Sequence, residues 1–388
     1  MQTLTAREAA DCLGITLSTL YAYVSRGLLH TLPGDTPRAR RYLLHEVQTL
    51  QQQRRRGRKS RDVARTALDW GLPVLPSAIT LIDQGRLFFR GHDAALLAQQ
   101  VTLEQLAALL WQTPSLPLPT DRAWQAAGTS ARLADPEWLL TRFVTLSADL
   151  PADCGTATPA RQAGNHVQLM ATLAAALCDV WLPGLPLHQW CAQAWGLDKR
   201  DAERVRMALV LCADHELNPS SFAARCATAS GASTRSALIA ALATLSGGRH
   251  GGATARVMAL LKEIGTGDVA HTVTARQLRG EDIPGFGHPL YPQGDPRARQ
   301  ILSGLTLDHV SEQLQRHMAE STGLLPSLDF ALVALCRSLA LPEGAAFGLF
   351  ALGRSVGWLA HIDEQRTSRQ PIRPRAQYSG PMPPVQSS

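Results

Sequence analysis

Histidine, aspartate and arginine recur in a few short motifs that interrupt otherwise apolar, helix-like stretches of the sequence. The motifs are centred on His215, His250, His288, Arg297, Asp329, Arg354 and Arg373. Histidine and aspartate are common proton donors and acceptors in catalysis, and arginine binds carboxylates through paired hydrogen bonds. These residue types therefore suit acid–base chemistry on an anionic substrate. Each motif alone is a weak signal, because a histidine beside glycine is more often a turn or surface residue.

Several other site classes are disfavoured by the residue spacing. No two histidines stand four residues apart with a third ligand nearby, so we expect no zinc site and no metal. The sequence contains no GxGxxG, Walker A or GxSxG motif, which weakens nucleotide-binding and serine-hydrolase interpretations. The seven cysteines are scattered, without a CxxC pair. This usage favours free thiols in a reducing cytoplasm, and we expect a cytoplasmic protein.

The elements that must position these motifs are mainly α-helical. A hairpin is predicted from the apolar runs 77–82 and 87–89 around Asp83-Gln84-Gly85. Beyond it, apolar residues at three- and four-residue spacing predict helices, separated by proline-rich breaks. The clearest of these predicted helices are Ala94 to Trp111, Asp121 to Ala131, Ala160 to Trp181 and Lys199 to Ala213. With 388 residues and 45% apolar content, the chain is long enough for two or three folded domains, and no apolar run predicts a membrane span.

From about Ser77 to Gly380 the order and approximate spacing of the motifs resemble the citrate synthase family. The resemblance is carried by 214–225 (DHELNPSSFAAR), 250–253 (HGGA), 285–288 (GFGH), 295–298 (DPRA), 350–354 (FALGR), 358–361 (WLAH) and 373–375 (RPR). It implies a large helical domain of residues 77–234 and 336–388, and a small domain of residues 235–335. It also implies a homodimer, in which Arg373 reaches the neighbouring subunit.

The resemblance also implies a reaction and a role for each motif residue. The family condenses acetyl-CoA, a substrate and not a cofactor, with oxaloacetate to give citrate and CoA. Asp329 would be the base that removes the methyl proton, His250 the donor to the thioester oxygen, and His288 the polariser of the ketone. The oxo-acid carboxylates would be held by His215, Arg297, Arg354 and Arg373. No further cofactor is expected.

Some positions depart from the family pattern. Pro289 and Pro292 stand where many members carry basic residues that contact CoA phosphates. Cys212 replaces a frequent histidine, and Thr254 replaces a common asparagine. Ser327-Leu328 replaces the usual Asn-Val before the aspartate. The acyl preference is therefore open, and 2-methylcitrate synthesis from propionyl-CoA is the alternative, since one methylene discriminates by only about 1–3 kcal/mol.

The first 60 residues differ from the rest in charge. They hold ten basic and four acidic residues, whereas the remaining chain holds 28 of each, so the formal charge of +6 lies in this head. Thr5 and Glu8 have the spacing of a capping box, and glycines at 14 and 27 end two short predicted helices. A β-ribbon or wing follows over residues 28–42, and a third helix is predicted from His45. A polyanion is the natural partner of such a head.

The head resembles the winged helix-turn-helix of MerR-type and excisionase-type DNA-binding domains. The resemblance is carried by residues 4–10, 19–23, 26–28 and 41–42. It implies that Ser18, Thr19, Tyr21 and Tyr23 face the major groove of double-stranded DNA, and that Arg38, Arg40 and Arg41 contact phosphates. The alternative is a helical hairpin used only for packing. Residues 61–76 form the predicted linker to the neutral body.

The sequence therefore predicts a mainly α citrate synthase-like acyltransferase carrying an N-terminal DNA-binding domain. A metabolite-sensing DNA-binding regulator with little turnover is the alternative from another functional class. Asp329 and the three histidines favour catalysis, whereas the basic head and the altered CoA-contact positions favour sensing. The DNA target and the preferred acyl group are not specified by the sequence.

Overall fold

A computed structural model describes residues 3–13, 15, 17, 20, 23–24, 29, 31–33, 40–43, 47, 75–124, 126, 135–153, 158–376 and 378–380. The chain forms two compact units, Met1–Pro76 and Ser77–Ser388. The second unit begins at the residue where composition predicts the change to a neutral helical body. The finer division of that body into large and small domains stays a prediction.

The first unit contains a small antiparallel sheet and helical segments. The sheet comprises β1 (Thr3–Thr5), β2 (Thr31–Pro33) and β3 (Arg40–Leu43) in the order β1-β3-β2. The pairing of β2 with β3 confirms the predicted ribbon, and β1 is a strand that the sequence did not indicate. Helix α1 (Ala6–Leu13) begins with the predicted capping box, in which the Thr5 amide donates to Glu8 Oε2 at 2.8 Å. Much of the predicted second and third helices lies outside the described residues.

The second unit starts with the predicted hairpin. Strand β4 (Thr80–Asp83) pairs with β5 (Arg86–Phe89), which also pairs with the short β6 (His92–Asp93). Both turn residues have positive φ, 48° at Gln84 and 73° at Gly85. Two such residues form the tight turn whose twist matches that of antiparallel strands, which is why a Gln-Gly pair closes this hairpin.

Apart from an isolated bridge between Phe286 and Pro326, the other regular elements described in this unit are helices, which confirms the predicted class. The helices are α2 (Ala94–Gln100), α3 (Leu103–Trp111), α4 (Pro136–Leu146), α5 (Pro159–Cys178), α6 (Leu187–Trp195), α7 (Lys199–Cys212), α8 (Pro219–Ala229), α9 (Thr234–Leu245), α10 (Ala253–Ile264), α11 (Val269–Leu278), α12 (Pro296–Leu302), α13 (His309–Thr322), α14 (Leu328–Ser338) and α15 (Ala345–Ser368).

Two helix predictions were wrong in detail. The segment from Ala94 to Trp111 is two helices, because Thr102 caps α3 in a reciprocal hydrogen-bonded box with Gln105. A new N-cap inside an apolar pattern ends the preceding helix without disturbing the pattern. Asp121–Trp124 are not helical, and most of that predicted helix lies outside the described residues.

Helix α15 is the central element of the second unit. It packs against α3, α7, α8, α9 and α14, and its residues are buried along most of its length. By length and composition it is the one helix in the described ranges that could cross a membrane. Its most apolar stretch, however, is entirely buried inside the protein. A buried core helix has the same composition.

Glycines at 353 and 357 bring α15 into backbone contact with α7 and the segment after it. A methyl group at Gly357 would overlap the Ala213 carbonyl oxygen and the Asp214 side chain. The Gly357 amide donates to that same carbonyl at 3.1 Å. The backbone of the segment bearing His215 is therefore held directly on α15.

We expect Gly357→Ala to lower the free energy of unfolding by about 1–3 kcal/mol, because the added methyl meets backbone that cannot move aside. In an unconstrained helix the same change would stabilise by up to about 1 kcal/mol. Denaturant unfolding of the full chain measures the difference. Gly184→Ala is the control, since a methyl there meets nothing within 4 Å. Equal stability of the two variants would contradict the close approach.

Candidate active site

The segment between α7 and α8, which carries His215, is fixed by buried polar contacts. Asp214 Oδ2 accepts a hydrogen bond from Thr80 Oγ1 at 2.6 Å and one from His361 Nε2 at 3.2 Å. Burial opposes ionisation of Asp214, but His361, Arg354 and Thr80 together outweigh it, so the pKa of Asp214 is lowered. Asn218 then caps α8 by accepting the amides of residues 220 and 221. His215 therefore projects from a segment anchored at both ends.

His215 belongs to a cluster of three aromatic rings. Its Nε2 lies 2.9 Å from the hydroxyl of Tyr291, and its ring centroid is 5.2 Å from that of His288. The ring centroids of Tyr291 and His288 are 5.0 Å apart. Burial lowers the pKa of His215 well below its usual value, with Arg297 and Arg354 as the next causes. His215 is therefore a neutral hydrogen-bonding group.

His288 lies in a turn whose backbone fixes its tautomer. The Leu290 amide donates to His288 Nδ1 at 3.2 Å, so the ring carries its proton on Nε2. Burial and Arg297 lower the pKa of His288 to about 4, which keeps the ring neutral. Backbone hydrogen bonds from Gly287 to Leu325 and from Ser327 to Gly285, each 2.8 Å, join this turn to the segment before α14.

Arg297 is held by a buried bidentate ion pair with Asp295. The Arg297 Nη2 and Nε atoms lie 2.7 and 3.0 Å from the two Asp295 oxygens. Burial opposes both charges, but the pair outweighs it, so the pKa of Asp295 is lowered and that of Arg297 raised. Asp295 Oδ2 also accepts the Leu328 amide at 3.3 Å, which links Arg297 to the start of α14.

Asp329, the second residue of α14, has the environment expected of a general base. Burial raises its pKa to about 6, against the influence of Arg297. Ser327 Oγ lies 3.5 Å from Oδ2, and Oδ1 has no hydrogen-bond partner among the residues that the structure describes. A carboxylate with one unbonded oxygen and a pKa near neutrality can accept a proton from a substrate.

Arg354 is a buried cation with unused hydrogen-bonding capacity. Its Nε donates to the Cys212 carbonyl at 2.7 Å, and its guanidinium stands 4.9 Å from the Phe350 ring centroid. Its Nη2 atom finds no partner within the described part of the chain. Burial lowers the pKa of Arg354 to about 10, so it remains charged at neutral pH. A buried guanidinium with an unpaired N–H group indicates a binding place for an anion.

His250 lies between α9 and α10 and contacts the first turn of α8. Its Nε2 is 2.9 Å from Ser220 Oγ, and Trp358 Nε1 donates to the same oxygen at 3.0 Å. Burial, followed by Arg354, lowers the pKa of His250 to about 3. His250 also contributes to the lowered pKa of His215, which places the two rings in one electrostatic environment.

The structure thus brings together six of the seven residues predicted for the enzyme site: His215, His250, His288, Arg297, Asp329 and Arg354. Arg373 is exposed beyond α15 and makes no described contact with them. Its assignment to the site of a neighbouring subunit stays a prediction. Sequence reasoning gave no role to Ser220, Tyr291, Asp295 or the Asp214–His361 pair. Ser220, Asp295, Asp214 and His361 stand inside the quoted motifs, and Tyr291 follows the motif of residues 285–288, which was the available signal.

The predicted DNA-binding residues are only partly described. Arg40 is exposed on β3, whereas Arg41 is half-buried and pairs in register with Thr5. Tyr23 is half-buried and packs against the core of the head, so part of its ring serves the fold and not a ligand. Ser18, Thr19, Tyr21 and Arg38 lie outside the described residues.

Comparison with known families agrees with this geometry. Residues 179–375 match the family model described as "Citrate synthase, C-terminal domain", a segment that contains all seven predicted residues. The chain belongs to the citrate synthase family. Residues 3–55 match a helix-turn-helix domain model. In this family member the helix-turn-helix therefore precedes an enzyme body of the citrate synthase type.

Individual relatives support the family and leave the acyl group open. The chain is 28% identical to citrate synthase 2 of Bacillus subtilis over 357 residues, covering 80% of this chain and 95% of the relative. It is 29% identical to the 2-methylcitrate synthase of Mycobacterium tuberculosis over 356 residues, covering 80% of this chain and 89% of the relative. A 36% match to citrate synthase of Haloferax volcanii covers 46% of this chain and half of that relative.

Solved structures show the same fold. Citrate synthase of Thermotoga maritima superposes with a TM-score of 0.64 at 23% identity, covering 81% of this chain and 95% of that chain. A ternary complex of Thermoplasma acidophilum citrate synthase with carboxymethyl coenzyme A and oxaloacetate gives a TM-score of 0.63 at 21% identity, covering 80% and 95%. The fold prediction is confirmed.

We expect Asp329→Asn to raise the free energy of unfolding by about 2–3 kcal/mol at pH 8. The folded pKa of about 6 exceeds the unfolded value, so the wild type loses stability as pH rises from about 4 through 6, and the amide does not. The gain should vanish below pH 4. Chemical denaturation at several pH values measures it.

Asp308→Asn is the matched control with the opposite sign. Burial opposes ionisation of Asp308, but hydrogen bonds from Arg337 and Ser311 outweigh it and lower its pKa to about 2. Asparagine keeps the cap of α13 but loses the charge, so this variant should be destabilised at neutral pH. A destabilised Asp329→Asn chain at pH 8 would contradict the buried environment described for Asp329.

Proposed function

We propose that the chain condenses a short acyl-CoA, acetyl-CoA in the first instance, with oxaloacetate to give citrate and CoA. The observation that carries the proposal is Asp329, a buried carboxylate with an unbonded oxygen under the electrostatic influence of Arg297 and Arg354. Deprotonation of a thioester methyl group requires a base together with donors that stabilise the enolate oxygen. This set supplies both.

Each step uses a group whose protonation state suits it. Asp329 takes the proton from the acyl α-carbon, and His250 donates a hydrogen bond to the thioester oxygen as negative charge develops there. His288, protonated on Nε2, polarises the ketone of oxaloacetate for attack by the α-carbon. Removing one such donor or base costs roughly 10²–10⁴-fold in rate. Water then hydrolyses the thioester and releases CoA.

Oxaloacetate carries two carboxylates, and the site offers buried cations to bind them. Arg354 has an unpaired Nη2, and Arg297 is oriented by Asp295. His215 adds a neutral donor that feels the charge of both arginines. Closure of the segment 235–335 over the bound oxo acid would exclude water until condensation is complete. Arg373 of a second subunit would complete the site in a homodimer, and no cofactor is required.

Release of free CoA thiol tests the proposal. Incubation with oxaloacetate and acetyl-CoA should release thiol, and the rate should fall at low pH with a midpoint near 6 as Asp329 is protonated. Asp329→Asn should lower turnover by roughly 10²–10⁴-fold, whereas Asp308→Asn should not. Turnover of Asp329→Asn within about tenfold of wild type would reject the assignment. A higher rate with propionyl-CoA would favour 2-methylcitrate synthesis.

The N-terminal unit supports a second function, binding of double-stranded DNA. Its match to a helix-turn-helix model and its concentration of the chain's excess positive charge both favour this. The proposed location is cytoplasmic. If oxaloacetate binds but thiol release is negligible, the protein is better described as a metabolite-sensing regulator.

We expect the full chain to bind mixed-sequence duplex DNA with strongly salt-dependent affinity, because each neutralised phosphate releases counterions. Replacing the exposed Arg40 by alanine should reduce the slope of log K against log salt by about one. Arg316→Ala, an exposed arginine on α13 paired with Glu312, is the control and should leave the slope unchanged. Fluorescence anisotropy at several salt concentrations measures both. Salt-independent affinity would contradict DNA binding by the head.

A further inference from the structure

We propose that Tyr291 is a positioning residue that makes His215 a hydrogen-bond donor towards a carboxylate of the oxo acid. The inference rests on the proposed function, because it takes an oxo-acid carboxylate as the ligand of His215. It assigns to one phenolic hydroxyl the choice of which nitrogen of His215 carries the proton. Tyr291 does not itself contact the reacting atoms in this scheme.

Tyr291 contacts three groups that would bind the oxo acid. Its hydroxyl lies 2.9 Å from His215 Nε2. Its ring is 5.0 Å from that of His288, and the guanidinium of Arg297 stands 5.5 Å from its centroid. Only 2% of Tyr291 is exposed. The residue is thus a buried support shared by His215, His288 and Arg297.

The number of hydrogens decides the direction of the Tyr291–His215 bond. Tyr291 keeps its phenolic hydrogen, since burial raises its pKa further above neutrality. Neutral His215 carries one ring hydrogen. If that hydrogen were on Nε2, it would point at the Tyr291 oxygen, and the phenolic hydrogen would have no acceptor among the described residues. The arrangement that satisfies both groups has Tyr291 donating to Nε2, which places the His215 hydrogen on Nδ1.

The position of this hydrogen matters for an anionic ligand. With hydrogen on Nδ1, His215 donates from the nitrogen turned away from Tyr291. With hydrogen on Nε2, Nδ1 would instead present a lone pair, which repels a carboxylate oxygen. Arg297 and Arg354 supply the positive charge, and Tyr291 makes the neutral His215 ring attractive to the carboxylate as well. Selectivity for oxo acids bearing a suitably placed carboxylate follows from this orientation.

The tautomer can be read directly by nitrogen NMR of the full chain labelled with ¹⁵N-histidine, with the His215 signals assigned by their loss in His215→Gln. We expect a protonated Nδ1 and an unprotonated Nε2 in the wild type. Tyr291→Phe keeps the ring and its contacts but removes the hydroxyl, so it should shift His215 towards the other tautomer. A protonated Nε2 in the wild type, or the same His215 state in both proteins, would overturn the inference.

Binding of oxaloacetate, measured by calorimetry, gives a second readout. Tyr291→Phe should weaken binding and raise KM by about tenfold, with kcat within about threefold of wild type. In a His215→Ala background the same change should have no further effect, because the hydroxyl then has no histidine to orient. A purely structural role would give additive losses and would overturn the inference. Tyr378→Phe, at an exposed tyrosine, is the control.

These experiments separate this inference from the proposed function. Retained oxaloacetate binding with the expected tautomer but without thiol release would contradict condensation and leave the role of Tyr291 supported. Thiol release by the wild type, together with the same His215 tautomer in wild type and Tyr291→Phe, would support condensation and contradict the role of Tyr291. Failure of the wild type to bind oxaloacetate would overturn the ligand named here for His215.

Discussion

The buried ion pair between Asp295 and Arg297 is the interaction on which the geometry of the site depends. Asp295 caps α12, pairs with Arg297 through both oxygens and accepts the Leu328 amide at the start of α14. One carboxylate therefore fixes both Arg297 and the start of the helix that bears Asp329. Removing one partner of such a pair leaves an uncompensated buried charge, which costs about 3–5 kcal/mol. Neither residue can be exchanged alone.

Permanent charge in the site comes from arginine, and the histidines are held neutral. Burial lowers the pKa of His250 to about 3 and that of His288 to about 4, while Arg354 stays charged despite a pKa lowered to about 10. The site can thus attract an anion strongly and still offer donors that do not lose protons to it. Asp329, with its pKa near 6, is the group poised to change protonation state during a reaction.

Local signals in the sequence predicted local structure well. The Thr5–Glu8 box and the Gln84-Gly85 turn each follow from interactions among neighbouring residues. Motif order likewise predicted the six residues that the structure brings together. The cap at Thr102 was missed because an apolar pattern continues unchanged across it.

Partners far apart in the sequence were not predictable in the same way. Thr80 and Asp214 are 134 residues apart, and His215 and Tyr291 are 76 apart. Residue type and spacing say which side chains can hydrogen-bond but not which ones meet. The side chains that orient the site, Ser220, Tyr291 and Asp295, therefore emerged only from the fold. The histidines and arginines they orient were already marked by their motifs.

The hairpin at the start of the second unit sets a limit on how the chain can be shortened. Thr80 completes the hydrogen bonding of buried Asp214, the Ile82 amide donates to Glu216, and the Ala78 amide donates to Glu364 on α15. A truncated enzyme beginning at the first helix, Ala94, would lose all three contacts and leave a carboxylate beside His215 short of a donor. Separation of the two units by proteolysis or design therefore belongs before residue 77, so that the hairpin stays with the body.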